Sequence, residues 1–336
     1  MLFFPDLIGN DSLKERLGTE ILDASFSHAY ILDGPSGSGK HTLALQIAAA
    51  LSCTDPDKSL PCGCCDSCRK ILSGKSPDVL WIKKEDRASL GVEAIRKIRS
   101  DLYISPNELP QKIYILEDAE TMTVQAQNAF LLSLESPPPY VLFLLLVQGS
   151  ENLLETIRSR APVLRMQPIP APDILSFLRS KGHVTIGDEE LNDIVLSSDG
   201  RIGEALNLCN SKQRSPVLKR RRFVKDFLAS CVRGSSKAAR IQLLLSLGHK
   251  REDYLSFVED TYLAARDLLF LKKSRLDTDL CFFSRKEAET LAVSFSSQYL
   301  LSLLSCLEES RTLLQKNANV RLISTKILLC SLGEPS

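Results

Sequence analysis

The sequence predicts an α/β domain at the amino-terminal end followed by helix alone. Two observations divide the chain this way. Up to about Gln167, short apolar runs alternate with amphipathic stretches, the pattern of βαβ units around a parallel sheet. Beyond Pro168 the strand pattern stops, and almost every segment to Leu332 has apolar residues at helical spacing. A third observation, four cysteines at metal-ligand spacing among the five within residues 53–68, places a small metal-type insert inside the α/β domain. The expected boundaries are 1–168 for the α/β domain with its insert at 53–68, 169–212 for a small helical domain, and 213–336 for a larger one.

The strand candidates are Ala29–Leu32, Val79–Ile82, Ile113–Leu116 and Val141–Val147. Each is short and mostly apolar, as in strands covered on both faces. The longest, seven residues, falls far below the roughly 18 needed to span a bilayer. MLFFPDLIGN lacks the basic start and the apolar length of a signal peptide, so a cytosolic protein is expected. A formal net charge of +1 excludes a polyanion-coating protein on global charge, leaving only local patches for such contacts.

Gly34-Pro35-Ser36-Gly37-Ser38-Gly39-Lys40 follows the first strand and precedes a helix carrying Leu43, Ile47 and Leu51. This strand–loop–helix context makes it a phosphate loop. Its glycines let backbone N–H groups curl around phosphate oxygens, and Lys40 neutralises the outer phosphates. ATP with Mg²⁺ is the implied ligand. One position departs from the pattern: the residue after the lysine should carry a hydroxyl for Mg²⁺, and here it is His41. Thr42 lies one residue later, turned about 100° around a helix, and replaces it imperfectly. Nucleotide binding is expected; hydrolysis is put in question.

The cysteines read Cys53-x8-Cys62-x2-Cys65-x2-Cys68. Two C-x-x-C steps gather three thiolates, and Cys53 at the end of the phosphate-loop helix completes a tetrahedron. Four thiolates without an open position describe a structural zinc site; a redox pair and an iron–sulfur cluster are the alternatives. Cys64 is surplus and should point away. Cys209, Cys231, Cys281, Cys306 and Cys330 sit singly in apolar helical patterns and are expected as small buried hydrophobes.

The strand Ile113–Leu116 ends in Glu117-Asp118. A P-loop ATPase places an acid here for Mg²⁺ and another to orient the attacking water, in the order Asp then Glu. The inverted order puts the longer side chain at the metal and the shorter one at the water. In the helical part, Asp173 and Asp188 are expected to cap two short helices, with Ile202, Ala205, Leu206 and Cys209 striping a third. Helix breaks are expected near Gly234, Gly248 and residues 274–279. The run Lys219-Arg220-Arg221-Arg222 reads as a solvated helix face, with phosphate contact to DNA as the alternative.

The run from Leu116 to Pro138 (LEDAETMTVQAQNAFLLSLESPP) resembles a segment of the bacterial DNA polymerase III clamp-loader AAA+ family, and Thr156-Ile-Arg-Ser-Arg-Ala161 resembles that family's Ser-Arg-Cys motif. The cysteine spacing, Asp6–Asn10 and His28-Ala-Tyr30 are similar too. The resemblance covers residues 1 to about 210. It implies an AAA+ fold, a helical lid and a helical collar joining five subunits into a ring. Two subunit types of the family carry the cysteine module, the gamma/tau motor and delta-prime. A motor needs the Mg²⁺ hydroxyl, an Asp-Glu pair, a sensor-1 threonine and a lid arginine. This chain has His41, Glu117-Asp118, Val147 or Gln148, and Gly203 at those positions, with Arg201 two positions away. The resemblance therefore implies a delta-prime-type subunit that helps load the sliding clamp onto primer–template DNA. It also implies that Arg160 (less so Arg158) is the arginine finger given to a neighbour's ATP, over a helix holding Asn128, Leu131 and Leu134. A gamma/tau-type motor tolerating His41, and a zinc-stabilised scaffold for DNA or partners with a vestigial phosphate loop, are the competing readings.

Overall fold

The structure is a computed structural model that describes residues 1–57, 59–84, 89–180, 186–232, 236–248, 250–273, 280, 282–283, 285–316 and 318–332. It divides into two compact units, one of residues 1–173 and 201–204, the other of residues 174–200 and 205–336.

The first unit runs β1 (Leu2–Phe3), α1 (Asp11–Leu22), β2 (Ala29–Asp33), α2 (Lys40–Leu51), β3 (Ser59–Leu60), α3 (Asp66–Leu72), β4 (Val79–Ile82), α4 (Val92–Asp101) and β5 (Lys112–Leu116). It continues with α5 (Val124–Glu135), β6 (Val141–Val147), α6 (Glu155–Arg158) and β7 (Val163–Arg165). Five strands form one sheet in the order β4-β5-β6-β2-β7, and every pairing is parallel. The phosphate-loop strand β2 is thus flanked on both sides. All four expected strands are present. β7 is additional: with three residues it is too short to show a period of its own, and it forms by pairing Ile31–Asp33 with Val163–Arg165.

The two-residue alternation of strand side chains sends β2, β5 and β6 into two cores. Tyr30, Leu32, Ile113, Ile115, Leu144 and Leu146 pack with Leu43, Ile47 and Cys68 on one face. Ile31, Tyr114, Leu116, Phe143 and Leu145 pack with Ile95, Ile98, Phe130 and Leu134 on the other. Helices therefore cover both faces, which explains the unbroken apolar reading of β6, buried along its whole length.

After β7 come α7 (Ala171–Ser180), α8 (Asp188–Ser197), α9 (Ile202–Cys209), α10 (Ser211–Cys231), α11 (Lys237–Ser246), α12 (Arg251–Lys273), α13 (Arg285–Ala292), α14 (Ser297–Gln315) and α15 (Val320–Ser331). Among the described residues this part holds no strand. Asp173 lies inside the first turn of α7, and Asp188 is the first residue of α8 with Gly187 as its cap. An acid in the first turn favours the helix dipole from either place, so a cap and a first-turn residue read alike in sequence. Gly248, at φ +76°, follows α11 as expected; the breaks near Gly234 and residues 274–279 lie outside the described residues. Phe227, Phe257, Leu268, Phe283, Leu300 and Leu307 centre the core of the second unit. Cys231 and Cys306 are buried, Cys209 and Cys330 half-buried, and Cys281 lies outside the described residues. No described helix is long and apolar enough to cross a membrane.

Candidate functional site

The phosphate loop links β2 to α2 and turns through two glycines in left-handed backbone, Gly37 at φ +80° and Gly39 at φ +98°. Gly34 is required by space: a Cβ there would lie 2.9 Å from the Ser38 hydroxyl and from Met166 Cβ. Lys40, the first residue of α2, folds back over its own loop and donates to the carbonyls of Gly34 and, at 2.9 Å, of Pro35. Burial lowers its pKa, while Glu120, Asp118 and Asp33 pull the other way. The loop and its lysine thus have the shape and charge of a phosphate cradle, and the lysine is engaged by backbone carbonyls.

His41 and Glu117 come together. The imidazole Nε2 lies 2.9 Å from Glu117 Oε1, and the ring stacks on Trp81 at 5.5 Å and 14°. The other carboxylate oxygen, Oε2, lies 2.9 Å from Lys83 Nζ, which also sits 5.4 Å from the centre of the Trp81 ring. Burial would raise the Glu117 pKa, but Lys83 and His41 outweigh it and hold the group below its ordinary value. Asp118, in left-handed backbone at φ +49°, pairs with Lys84 at 3.0 Å. The site therefore has a lysine on each of its two acids. Lys83, Lys84 and Trp81 escaped the sequence reading. The available signal was parallel pairing: Ile82 sits opposite Leu116, so the two residues after each strand face one another.

Gly203 closes on the loop within the first unit. Its N–H donates to the Gly37 carbonyl at 2.8 Å, and a Cβ on it would lie 2.9 Å from Gly37 Cα. A side chain at the position where the resemblance expects an arginine needs the loop to move. At the end of β6, Val147 is buried and Gln148 exposed, and Asp33 holds the next turn by accepting from the Ser150 hydroxyl at 2.8 Å.

The four cysteines converge as their spacing requires. The sulfurs of Cys53, Cys62, Cys65 and Cys68 all lie within 4.8 Å of one another, with Cys62 and Cys68 3.9 Å apart. A tetrahedron with metal–sulfur bonds of about 2.3 Å separates its sulfurs by about 3.8 Å, so the donor set fits such an ion. Backbone N–H groups of Cys62, Cys65 and Cys68 donate to the sulfurs of Cys53, Cys62 and Cys65 at 3.4, 3.3 and 3.5 Å. Burial works against ionisation at Cys65, yet hydrogen bonds from Thr54 and Cys68 bring its thiol down to about 6. Burial raises Cys68. Cys64 stays exposed and outside the set, its free thiol hydrogen-bonded to that of Cys62.

Arg160 lies just past α6, on the loop leading into β7. Its Nη2 meets Glu135 Oε1 at 2.9 Å, and its Nη1 donates to the Thr156 carbonyl at 2.9 Å. Glu135 ends α5, which Pro137 and Pro138 prevent from continuing. Of the three α5 residues expected beneath Arg160, Leu134 is buried, Leu131 half-buried and Asn128 exposed. The tie the sequence did not reveal is Gln127, buried on α5, which donates to the Met122 carbonyl at 3.2 Å and accepts from Leu154 N–H at 2.8 Å. Arg158 is exposed on α6.

The basic run is not one solvated face. Arg221 is buried, donates to the Phe282 carbonyl and lies 4.3 Å from the centre of the Phe282 ring. Arg220 pairs with Asp260 at 2.5 Å. Among the described residues, Lys219 and Arg222 are the two of the four that are exposed outside any ion pair. Helical periodicity explains the difference, since four consecutive residues point around the whole helix.

Fold and site together have the arrangement of a P-loop protein: a parallel sheet with a glycine-rich loop after a flanked strand and an acidic pair at the end of β5. Residues 9–170 match the family described as DNA polymerase III, delta subunit. Over 288 residues the chain is 26% identical to DNA polymerase III subunit tau of Bacillus subtilis, covering 80% of this chain and 50% of that protein. Over 208 residues it is 31% identical to subunit gamma of Buchnera aphidicola subsp. Schizaphis graminum, covering 61% and 57%. A solved gamma subunit-related protein of Thermotoga maritima superposes with a TM-score of 0.46 at 21% identity, over 95% of this chain and 99% of that one. Through residues 9–170 the chain is similar to subunits of the DNA polymerase III clamp loader. It spans about half the length of the curated relatives it matches.

Proposed function

We propose that the chain is a delta-prime-type clamp-loader subunit, which gives an arginine to a neighbour's ATP and does not itself hydrolyse ATP. The observation that carries this reading is the state of Glu117 and Asp118. An ATPase needs one acid free to hold Mg²⁺ and another free to orient water. Here Glu117 is engaged by His41 and Lys83, and Asp118 by Lys84. Gly203 supports the same reading, because its close contact with Gly37 leaves no space for the lid arginine of a motor. Gly34, Pro35, Ser36, Gly37, Ser38, Gly39, Lys40, His41 and Thr42 would then form a cradle for ATP that Mg²⁺ assists little.

In this reading Arg160 stabilises charge on the phosphoryl group transferred in the adjacent subunit, and the acids of this chain take no part. Residues 1–168 are the AAA+ domain, 169–212 the lid, and 213–336 the collar through which the ring assembles with gamma/tau and delta partners in the cytoplasm. Cys53, Cys62, Cys65 and Cys68 hold a structural zinc ion, which would fasten an insert that has little core of its own. Contact with the sliding clamp and primer–template DNA comes through the whole complex.

The names of the curated relatives, gamma and tau, favour a second reading as a motor ATPase. ATP turnover by the isolated chain separates the two. Turnover above background supports the motor; turnover only in a complex with a motor subunit supports the delta-prime type.

A further inference from the structure

We infer that Glu135 is the positioning residue for Arg160, holding its guanidinium ready for a phosphoryl group in the neighbouring subunit; this rests on the trans-arginine reading above. The guanidinium is held along one edge. Nη2 spends one hydrogen on Glu135 Oε1 at 2.9 Å, and Nη1 is directed at the Thr156 carbonyl at 2.9 Å and the Ser159 hydroxyl at 3.5 Å. Among the described residues, Nε and the second hydrogen of Nη2 meet no acceptor in the hydrogen bonds of Arg160. Those two donors form the fork that binds two oxygens of a phosphate at once. Glu135 thus fixes the plane of the group while leaving its recognition edge open.

The helix behind Glu135 is tied by hydrogen bonds at its start, middle and end. The Thr123 hydroxyl caps α5 by accepting from Ala126 N–H. Gln127 ties the helix to Leu154, the residue that opens α6. Near the other end, His28 Nε2 bonds with the Leu134 carbonyl at 3.0 Å, anchoring the last turn next to β2. Glu135 is therefore fixed to the sheet, whereas Arg160 sits on a loop after a helix of four residues. The ion pair is partly exposed, at 37% and 48% for its two side chains, so its contribution to holding the group is modest. A long side chain that is already oriented loses less rotamer freedom on engagement.

The test uses the complete clamp-loader complex with a motor partner, clamp, primed DNA and ATP. Glu135→Ala, Glu135→Gln, Arg160→Ala and the double variant Glu135→Ala/Arg160→Ala are compared, with assembly checked by gel filtration. The expected result is a roughly two- to fivefold fall in the turnover number for Glu135→Ala with KM little changed, the scale of an exposed ion pair. Glu135→Gln should lose less, because its carbonyl still accepts from Nη2. In the Arg160→Ala background Glu135→Ala should have no further effect. Normal turnover for Glu135→Ala, or an equal loss in both backgrounds, overturns the inference while leaving the trans-arginine reading intact. Normal turnover for Arg160→Ala overturns that reading, and the inference with it.

Discussion

Lys83→Ala should make nucleotide binding more dependent on Mg²⁺. The metal requires near-octahedral oxygen ligands at about 2.0–2.1 Å, and Glu117 is the carboxylate that faces the phosphate loop from the end of β5. Lys83 already stands 2.9 Å from one of its oxygens and His41 2.9 Å from the other. An ion entering here must displace at least one of them. Lys83 is 61% exposed, so its pairing with the quarter-exposed Glu117 is discounted from Coulomb's law to about 1 kcal/mol. That corresponds to about a fivefold change in an equilibrium constant. The native chain should then bind a fluorescent ATP analogue with less than about a tenfold gain from Mg²⁺ over EDTA. Lys83→Ala should widen the gain by about fivefold, and His41→Thr/Lys83→Ala, which also restores a hydroxyl, should widen it further. The reasoning is refuted by a gain above tenfold in the native chain, or by a Mg²⁺ dependence that Lys83→Ala leaves unchanged.

Asp78 is fully buried and accepts from the N–H groups of Asn107, Glu108 and Leu109 and from Asn107 Nδ2. Asp78→Ala should cost about 1–3 kcal/mol in denaturant titrations, because the buried Leu109 N–H loses its acceptor and the Asn107 and Glu108 N–H groups lose theirs at a more open edge. Burial would raise the Asp78 pKa, but these bonds prevail and lower it. Its contribution is therefore complete above the ordinary aspartate pKa of about 3.9 and is lost as pH falls through the lower folded value. Urea midpoints measured from pH 6 down to pH 2 should show that acid loss in the native chain and less of it in Asp78→Ala. Gly203→Ala should destabilise the protein by about 1–3 kcal/mol through its clash with Gly37, read as a lower Tm. Cys53→Ser should reduce bound zinc in a metal assay, whereas Cys64→Ser should leave it unchanged, since Cys64 lies outside the group of four.

Much of the first unit was legible because its signals are local. The loop from Gly34 to Lys40 carries its own geometry in its glycines, the four-cysteine spacing its own convergence, and β6 its burial in a run of seven apolar residues. What escaped was produced by pairings distant in sequence. Lys83 meets Glu117 only because β4 and β5 run parallel in a register that nothing in either strand announces. Glu135 meets Arg160 across 25 positions, and Gly203 meets Gly37 across a longer gap still. Arg221 is the clearest lesson about charge. Its neighbours suggested a solvated stripe, while a carbonyl and an aromatic face supplied by Phe282 let it be buried. A charged run on a helix has to be read by the angle of each residue and by what stands opposite.

In the proposed function this chain works on ATP held by another subunit. The most direct measurement is single-turnover hydrolysis at the adjacent site in an assembled complex carrying Arg160→Ala. The loss of an arginine supplied in trans lowers that rate by about 10³-fold or more. Such a fall is expected with assembly intact; hydrolysis at the native rate would show that Arg160 gives nothing to the adjacent site.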